Sequence, residues 1–414
     1  RIMSATLSIA ILTTARSDFG LLKRVIRRAS ERFHVDLLIA GSHFLSSRGR
    51  TVHEIEEELR TTPNVSLIHL NAMTDGHAAT DHVDALADTQ RLASRWFDAN
   101  RCDLLLFLGD RWELWGVTLP AFLHGIPLAH ISGGEVTEGV IDDAVRHSHT
   151  KISSLHFAAT DAYAANLSRM GEEDWRISVV GECGLDQIHD SEFATSDAVK
   201  SRFDVDLEKD TLLVTFHPST LDFETPVAAQ INVLLHGLKP FVDRQIVFTA
   251  PGVEQGSQTV LEAIRAFVAR HPSTRFVDHF GSRNYLAVMR AAKAVIGNSS
   301  SGLVEASSLG VPAVNVGQRQ KKRMAADSVQ HVGYDSLAIS HAIARAVSAD
   351  YQRFARICPN PYDPFKDGRN SDRIVEALTN ALERLPRERL LLKRFDTKIR
   401  RDRWNKLLNG EGLA

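Results

Sequence analysis

The feature that most constrains this chain is an alternation, run through twice, of short unbroken apolar stretches with longer amphipathic ones. Strands that are apolar without interruption are buried on both faces, which is the habit of parallel sheets covered by helices. Residues 7–13, 35–40, 65–68, 104–108, 127–131, 155–158 and 177–180 read as strands, with helical patterns at 82–99, 113–124, 142–153 and 162–170 between them. A charged stretch rich in Ser and Asp, residues 186–210, breaks the rhythm and reads as a hinge. The alternation then resumes, with strands at 212–216, 246–248, 275–277, 294–296 and 313–316 and helices at 227–236, 259–269 and 282–292. The fold class is therefore α/β, with two doubly wound parallel-sheet domains, residues 1–185 and 186–368. Residues 369–414 follow as C-terminal helices expected to pack back on the N-terminal domain: a helix over 371–385 ended by Pro386, then a basic amphipathic tail at 390–408.

A length of 414 residues accords with two such domains. The net charge of −2 gives no pull toward nucleic acid or an anionic membrane, so neither is expected as a partner. Cys102, Cys183 and Cys358 are widely spaced and odd in number, which fits a reducing cytoplasm without a disulfide framework or a metal knuckle. No apolar run reaches the roughly 20 residues that span a bilayer. The histidines lack metal-ligand spacing, so no metal is expected.

Ligands of doubly wound sheets sit at the carboxyl ends of the strands. Residues 294–323, AVIGNSSSGLVEASSLGVPAVNVGQRQKKR, supply such a place in the second domain. Ser301 is placed to cap a helix running to Leu309 and stopped by Gly310, and the next strand leads to the basic run from Gly317 to Arg323. Hydroxyls at one turn and guanidinium groups at the next suit phosphate, although a plain helix cap accounts for the serines equally well. Glu305 is the odd residue, because a carboxylate beside an anion site is repulsive unless it accepts hydrogen bonds from vicinal hydroxyls such as those of a ribose. No Gly-x-Gly-x-x-Gly follows either first strand and no P-loop occurs, which disfavours a dinucleotide or P-loop site. The remaining strand-end loops carry Arg16, Asp110-Arg111, Glu135, and the pair Asp142-Asp143 opening a helix with Arg146 and His147 at i, i+4 offsets. Helix capping would explain Asp110 or Asp142-Asp143, and a solvated loop would explain Glu135; three acidic loops in succession are harder to dismiss. His217 follows the first strand of the second domain, where it is placed to donate to a phosphate or to protonate a leaving group.

These motifs together resemble the hydrolysing UDP-N-acetylglucosamine 2-epimerases of sialic acid synthesis. The resemblance rests on Thr14-Ala15-Arg16-Ser17-Asp18, Gly109-Asp110-Arg111, the run from His130 through Gly133-Gly134-Glu135 and Ile141-Asp142-Asp143 to Lys151, Gly297 to Gly302 with Glu305, and Val316 to Gln320. It extends over residues 10–385, and the Gly-Gly-Glu and Ile-Asp-Asp forms point to the hydrolysing branch. It implies a GT-B fold of two Rossmann-like domains facing across a cleft, a UDP-sugar substrate, no cofactor and a homodimer or homotetramer. Arg16, Arg111, His217, Ser300, Ser301, Glu305 and Arg319 would hold UDP, with Ser282 toward the uridine, while Asp110, Glu135 and Asp142, with His217, would serve the chemistry. Gly20, Leu108 and Pro251-Gly252-Val253-Glu254 depart from common forms of the family pattern.

The implied reaction converts UDP-N-acetylglucosamine and water to N-acetylmannosamine and UDP, by elimination to a 2-acetamidoglucal and rehydration. The same reaction on a UDP-2,4-diacetamido-2,4,6-trideoxy sugar is the nearest alternative. A glycosyltransferase of the same fold and a binding protein without turnover are the others.

Overall fold

The computed structural model describes residues 7–46, 50–74, 79–138, 140–189, 193–219, 222, 224–251 and 256–396. The chain forms two compact units, one from Arg1–Glu135, Ala144–Gly184 and Arg369–Ala414, the other from Val136–Asp143 and Leu185–Gly368. Residues 136–143, expected within the first domain, thus group with the second.

The first unit is built on a seven-stranded parallel sheet in the order β3-β2-β1-β4-β5-β6-β7. Its strands are β1 (Ser8–Thr13), β2 (His34–Ile39), β3 (Val65–His69), β4 (Leu104–Leu108), β5 (Leu128–Ile131), β6 (Leu155–Ala158) and β7 (Ile177–Val179). Side chains alternate across the sheet. Ile9, Ile11, Leu104 and Leu106 therefore join one core with the helices Arg16–Ser30 and Asn370–Arg384, while Ala10, Leu12, Leu105 and Phe107 join another with the helices Ala79–Ala99 and Trp115–Leu123. Each Ile, Leu or Phe side chain among these, fully buried, contributes about 1.5–3 kcal/mol relative to exposure. The chain winds outward from β1 through β2 and β3 on one side and from β4 on the other. The switch point thus lies between β1 and β4, paired at Ile11↔Leu106, and the loops leaving them carry Thr14 to Arg16 and Gly109 to Arg111.

Five of the six strands of the second unit's sheet, ordered β10-β9-β8-β11-β12-β13, were legible from apolar runs. They are β8 (Thr211–Thr215), β9 (Gln245–Thr249), β10 (Thr274–Val277), β11 (Ala294–Gly297) and β12 (Ala313–Val316); β13 (Val329–Val332) is an edge strand with only Val329 fully buried. The switch point here lies between β8 and β11, where Val214 pairs with Ile296.

Several local expectations change. The helix expected from Ser301 to Leu309 is a 3-10 turn, Ser300–Gly302, followed by a single α turn, Glu305–Ser308. Its cap is Ser299, which accepts from the Ser301 amide at 3.4 Å. The first helix begins at Arg16, so that residue stands in a first turn and not in a loop. The proposed hinge contains the helices Asp186–His189 and Ser196–Phe203, and the helices Val52–Leu59, Ser336–Ala346 and Ala349–Ile357 were not read from the sequence. At the C-terminal side, buried Arg176 donates to the carbonyls of Ser154, Arg389, Leu390 and Leu392 at 2.9–3.1 Å, fastening the segment after Pro386 to the first unit. Residues 252–255 and the basic tail from 397 onward lie outside the described residues. Among the described residues no helix is long and apolar enough to cross a membrane.

Candidate active site

At the first switch point the loop after β1 is tied down by one carboxylate. Asp18 accepts from the amides of Thr14 and Ala15, both at 2.9 Å, and from the hydroxyls of Thr13 at 2.7 Å and Thr14 at 2.9 Å. Thr13 also meets the buried ring of His43 at 2.9 Å, and the other ring nitrogen meets Thr51 at 2.8 Å. Burial, opposed by Asp18 and reinforced by Arg111, pushes the His43 imidazole down to about 4, so the ring is neutral at pH 7. Arg16, which opens the helix after this loop, is half-exposed and pairs with Glu54 at 2.7 Å.

The loop after β4 holds the charged part of the site. Gly109 is anchored by His130 of β5, whose Nε2 lies 2.7 Å from the Gly109 carbonyl while the ring stacks on Phe107 at 4.8 Å. Complete burial holds His130 well below its usual range; a neutral ring with its proton on Nε2 donates this bond. Asp110 pairs with Arg146, whose other terminal nitrogen donates to the Glu135 carbonyl at 3.1 Å. The guanidinium, 1% exposed, thereby draws two of the three expected carboxylate residues together, and Glu135 is itself buried. A buried guanidinium must be paired, so this cluster is tightly determined. Arg111 pairs with buried Glu113 at 2.5 Å. The turn leading to Glu135 requires glycine at 134: φ is +82°, and a Cβ there would lie 2.3 Å from the Tyr163 carbonyl. Asp142 opens the helix Asp142–Ile152 that carries Arg146, and Asp143 accepts from the Thr137 amide at 2.6 Å. Asp142 falls in the Val136–Asp143 segment that groups with the second unit.

The second switch point is made mainly of neutral polar groups. Ser299 and Ser301 have their hydroxyls 3.1 Å apart, and Ser300 starts the 3-10 turn. The phenol of Tyr285 bonds to the hydroxyls of Ser301 and Thr215, and burial raises it above the usual phenol range. Arg319 donates to the Asn298 carbonyl at 3.3 Å, and Asn298 in turn holds the main chain of His217. Glu305 begins the following α turn, and burial pushes its carboxyl up, against the pull of Arg323. The hydroxyl of Ser282 is given to Gln187, within the same unit. The structure thus gathers Ser300, Ser301, His217 and Arg319 about β8 and β11. Tyr285, one turn beyond Ser282, takes the place beside Ser301 that the sequence gave no reason to expect. No group of three or more His, Cys, Asp or Glu among the described residues is arranged to hold a metal.

Residues 26–379 match the family described as UDP-N-acetylglucosamine 2-epimerase. The chain belongs to that family. It is 30% identical over 328 residues to the GDP/UDP-N,N'-diacetylbacillosamine 2-epimerase (hydrolyzing) of Campylobacter jejuni, covering 78% of this chain and 83% of the relative. It is also 30% identical over 373 residues to the UDP-N,N'-diacetylbacillosamine 2-epimerase (hydrolyzing) of Legionella pneumophila, covering 89% and 95%. Among solved structures, UDP-GlcNAc 2-epimerase from Neisseria meningitidis bound to UDP-GlcNAc is similar with a TM-score of 0.75 at 17% identity, over 90% of this chain and 100% of that one. The two doubly wound units are thus the GT-B fold of the 2-epimerase family.

Sequence reading of this family member missed Asp18, His43, His130, Asn298 and Tyr285 as parts of the site. The first four are buried. Three of them carried a visible signal, a polar residue embedded in or beside an apolar strand end, but their partners lie too far along the chain to be named in advance.

Proposed function

We propose that this member of the family is a hydrolysing 2-epimerase of a UDP-linked 2-acetamido sugar, with UDP-N-acetylglucosamine as substrate and N-acetylmannosamine and UDP as products. The observation that supports the reading is one buried guanidinium, Arg146, that holds the Asp110 carboxylate and the main-chain carbonyl of Glu135 in the strand-end loops of the first unit. The proton on C2 of the sugar is not acidic, so its removal must accompany departure of UDP from C1. One carboxylate of the set Asp110, Glu135 and Asp142 takes the C2 proton. The C1–O bond breaks with its electron pair going to the diphosphate, leaving 2-acetamidoglucal. Water then adds to the enol ether: a second group of the set, in its carboxylic acid form, gives its proton to the opposite face of C2, the water oxygen joins C1, and a carboxylate of the set takes the proton that the water loses. Arg16, Arg111 and Arg319, with His217, Ser300 and Ser301, stabilise the charge that collects on the departing diphosphate. Glu305 accepts from the ribose hydroxyls, and Ser282 serves the uridine end. Relatives named as hydrolyzing support water as the acceptor.

The test is NMR of the reaction in deuterated water. Deuterium at C2 of a released free mannosamine is expected; UDP-sugar that epimerises without UDP release, or no turnover at all, sinks the reading. A second reading has a specific observation in its favour, since two of three relatives at 30% identity are named for N,N'-diacetylbacillosamine, the third being named a polysialic acid biosynthesis protein. On that reading the same steps act on the UDP-linked 2,4-diacetamido-trideoxy sugar, and kcat/KM for the two sugar nucleotides side by side chooses between them.

A further inference from the structure

The parallel ladder between β8 and β11 ends at Thr215↔Gly297, followed by a last main-chain bond from the Asn298 amide to the Thr215 carbonyl at 3.1 Å. Beyond it the two chains part, as they must at a switch point. The separation is nevertheless bridged once more. The carboxamide of Asn298 accepts from the His217 amide at 2.7 Å and donates to the His217 carbonyl at 2.8 Å, so a side chain stands in for the next rung of the sheet. The same residue turns its own carbonyl the other way, toward the loop after β12, and there receives Arg319 at 3.3 Å and Gln320 at 2.8 Å. Asn298 is wholly buried. Its backbone is set by its neighbour: Gly297 has φ +127°, and a Cβ at that position would stand 1.9 Å from the Thr215 carbonyl.

We propose that Asn298 is a positioning residue that fixes the spacing between His217 and Arg319, and with it the seat of the diphosphate. The proposal rests on the reading that these loops hold UDP. Only a short carboxamide meets the requirement. The group must accept and donate in one plane from a position one bond beyond the strand; aspartate offers no donor, and glutamine carries its amide one methylene too far. Serine or alanine would leave the His217 amide and carbonyl, and the chain that follows them, without this bridge. His217 and Arg319, the groups that Asn298 bonds, are read as diphosphate contacts, whereas Ser282, read as serving the uridine, is held by Gln187, so uridine binding and phosphate binding respond differently to its loss.

The experiment is calorimetric binding of UDP and of uridine to the wild-type chain and to Asn298→Ala, Asn298→Asp and Arg319→Ala. Loss of the pre-set placement of His217 and Arg319, which UDP binding must then restore, predicts that Asn298→Ala weakens UDP by about tenfold to a hundredfold and changes uridine by less than about threefold. A role confined to packing would weaken both ligands alike. Asn298→Asp keeps the acceptor for the His217 amide but sets a carboxylate against the His217 carbonyl, so it should weaken UDP at least as much, and thermal melting of each variant identifies those that are folded. Equal losses of UDP and uridine in the folded variants, or unchanged UDP affinity, overturn the proposal. If wild type and Arg319→Ala bind UDP no better than uridine, the reading of these loops as the UDP site falls and the proposal falls with it. If Arg319→Ala alone loses UDP selectively, the reading stands and only the role of Asn298 is lost.

Discussion

At the first unit's switch point the polar groups are ionic and enclosed: Arg146 with Asp110, Arg111 with Glu113, and Asp18 with the four donors around it. At the second they are largely neutral, with a carboxamide, three serines and a phenol, and Arg319 donates to a main-chain carbonyl. Both places are topological switch points of parallel sheets, so the sheet does not dictate the difference. Moving a proton on and off a carbon calls for carboxylates held immobile in a fixed electrostatic setting. Holding a diphosphate calls for donors of well-set spacing, and carboxylates near it are a liability unless, as proposed for Glu305, they accept from hydroxyls of the ligand. The contrast separates chemistry from grip, and each substitution below should affect one far more than the other.

The largest effect is expected for Asp110→Asn. Loss of a general base or acid costs about 10²–10⁴ in kcat, whereas UDP affinity measured by calorimetry should stay within about threefold of wild type. A large loss of UDP affinity in this variant would break the comparison. Arg319→Ala is the converse. Removing a charged donor from an anion predicts about tenfold to a hundredfold weaker UDP, with kcat at saturating substrate reduced much less.

Acid stability should also divide the units. His43 and His149, both pushed down to about 4 by burial, are neutral in the folded first unit and have an ordinary imidazole value when unfolded. Between pH 6.5 and about 4 the unfolded state therefore binds more protons, and stability falls as the pH drops. The slope is at most about 1.4 kcal/mol per pH unit for each histidine. Hydrogen exchange followed from pH 7 to 5 should rise earlier in the first unit's peptides around His43 and His149. His149→Gln should flatten the slope, and an unchanged slope would remove His149 from the account.

The smallest effect is expected at Glu138, which lies in the Val136–Asp143 segment and pairs with Lys322 at 2.6 Å and Lys321 at 3.5 Å. These pairs lie at the surface, where salt screens them. Glu138→Gln should leave the melting midpoint unchanged within error, and a fall of several degrees would show that the segment depends on this contact.

The architecture was legible because continuous apolar strands leave few alternatives: every strand buried on both faces was found, as were the half-buried β3 and β7, whereas β13, whose run Val329-Gln330-His331-Val332 is broken by two polar residues, was not. The short turn after β11 was misread as a longer helix. Ser301 is a good helix cap by type, but Ser299 captured its amide. Among the site residues, those with chemistry of their own, such as Asp110 and Arg319, stood out in the strand-end loops. Asn298 and His130 did not, because each acts through a residue many positions away, His217 for one and Gly109 for the other. Local pattern carries no record of such pairings. The proposed uridine end is the least legible, since Ser282 meets Gln187 and Tyr285 occupies the neighbouring turn.

The division of the chain bears on how the protein is made. Passing outward from the ribosome, residues 1–135 emerge first, yet the core they enter is completed by Ile374, Val375 and Leu378 of the last described long helix. Val136–Asp143 emerge well before the strands of the unit they join. Neither unit can close as a finished domain while its remainder is still being translated, so the usual order, amino-terminal domain first, does not apply. Nascent chains stalled anywhere before Arg369 should remain open to protease in the first unit, and maturation should come late, almost in one step.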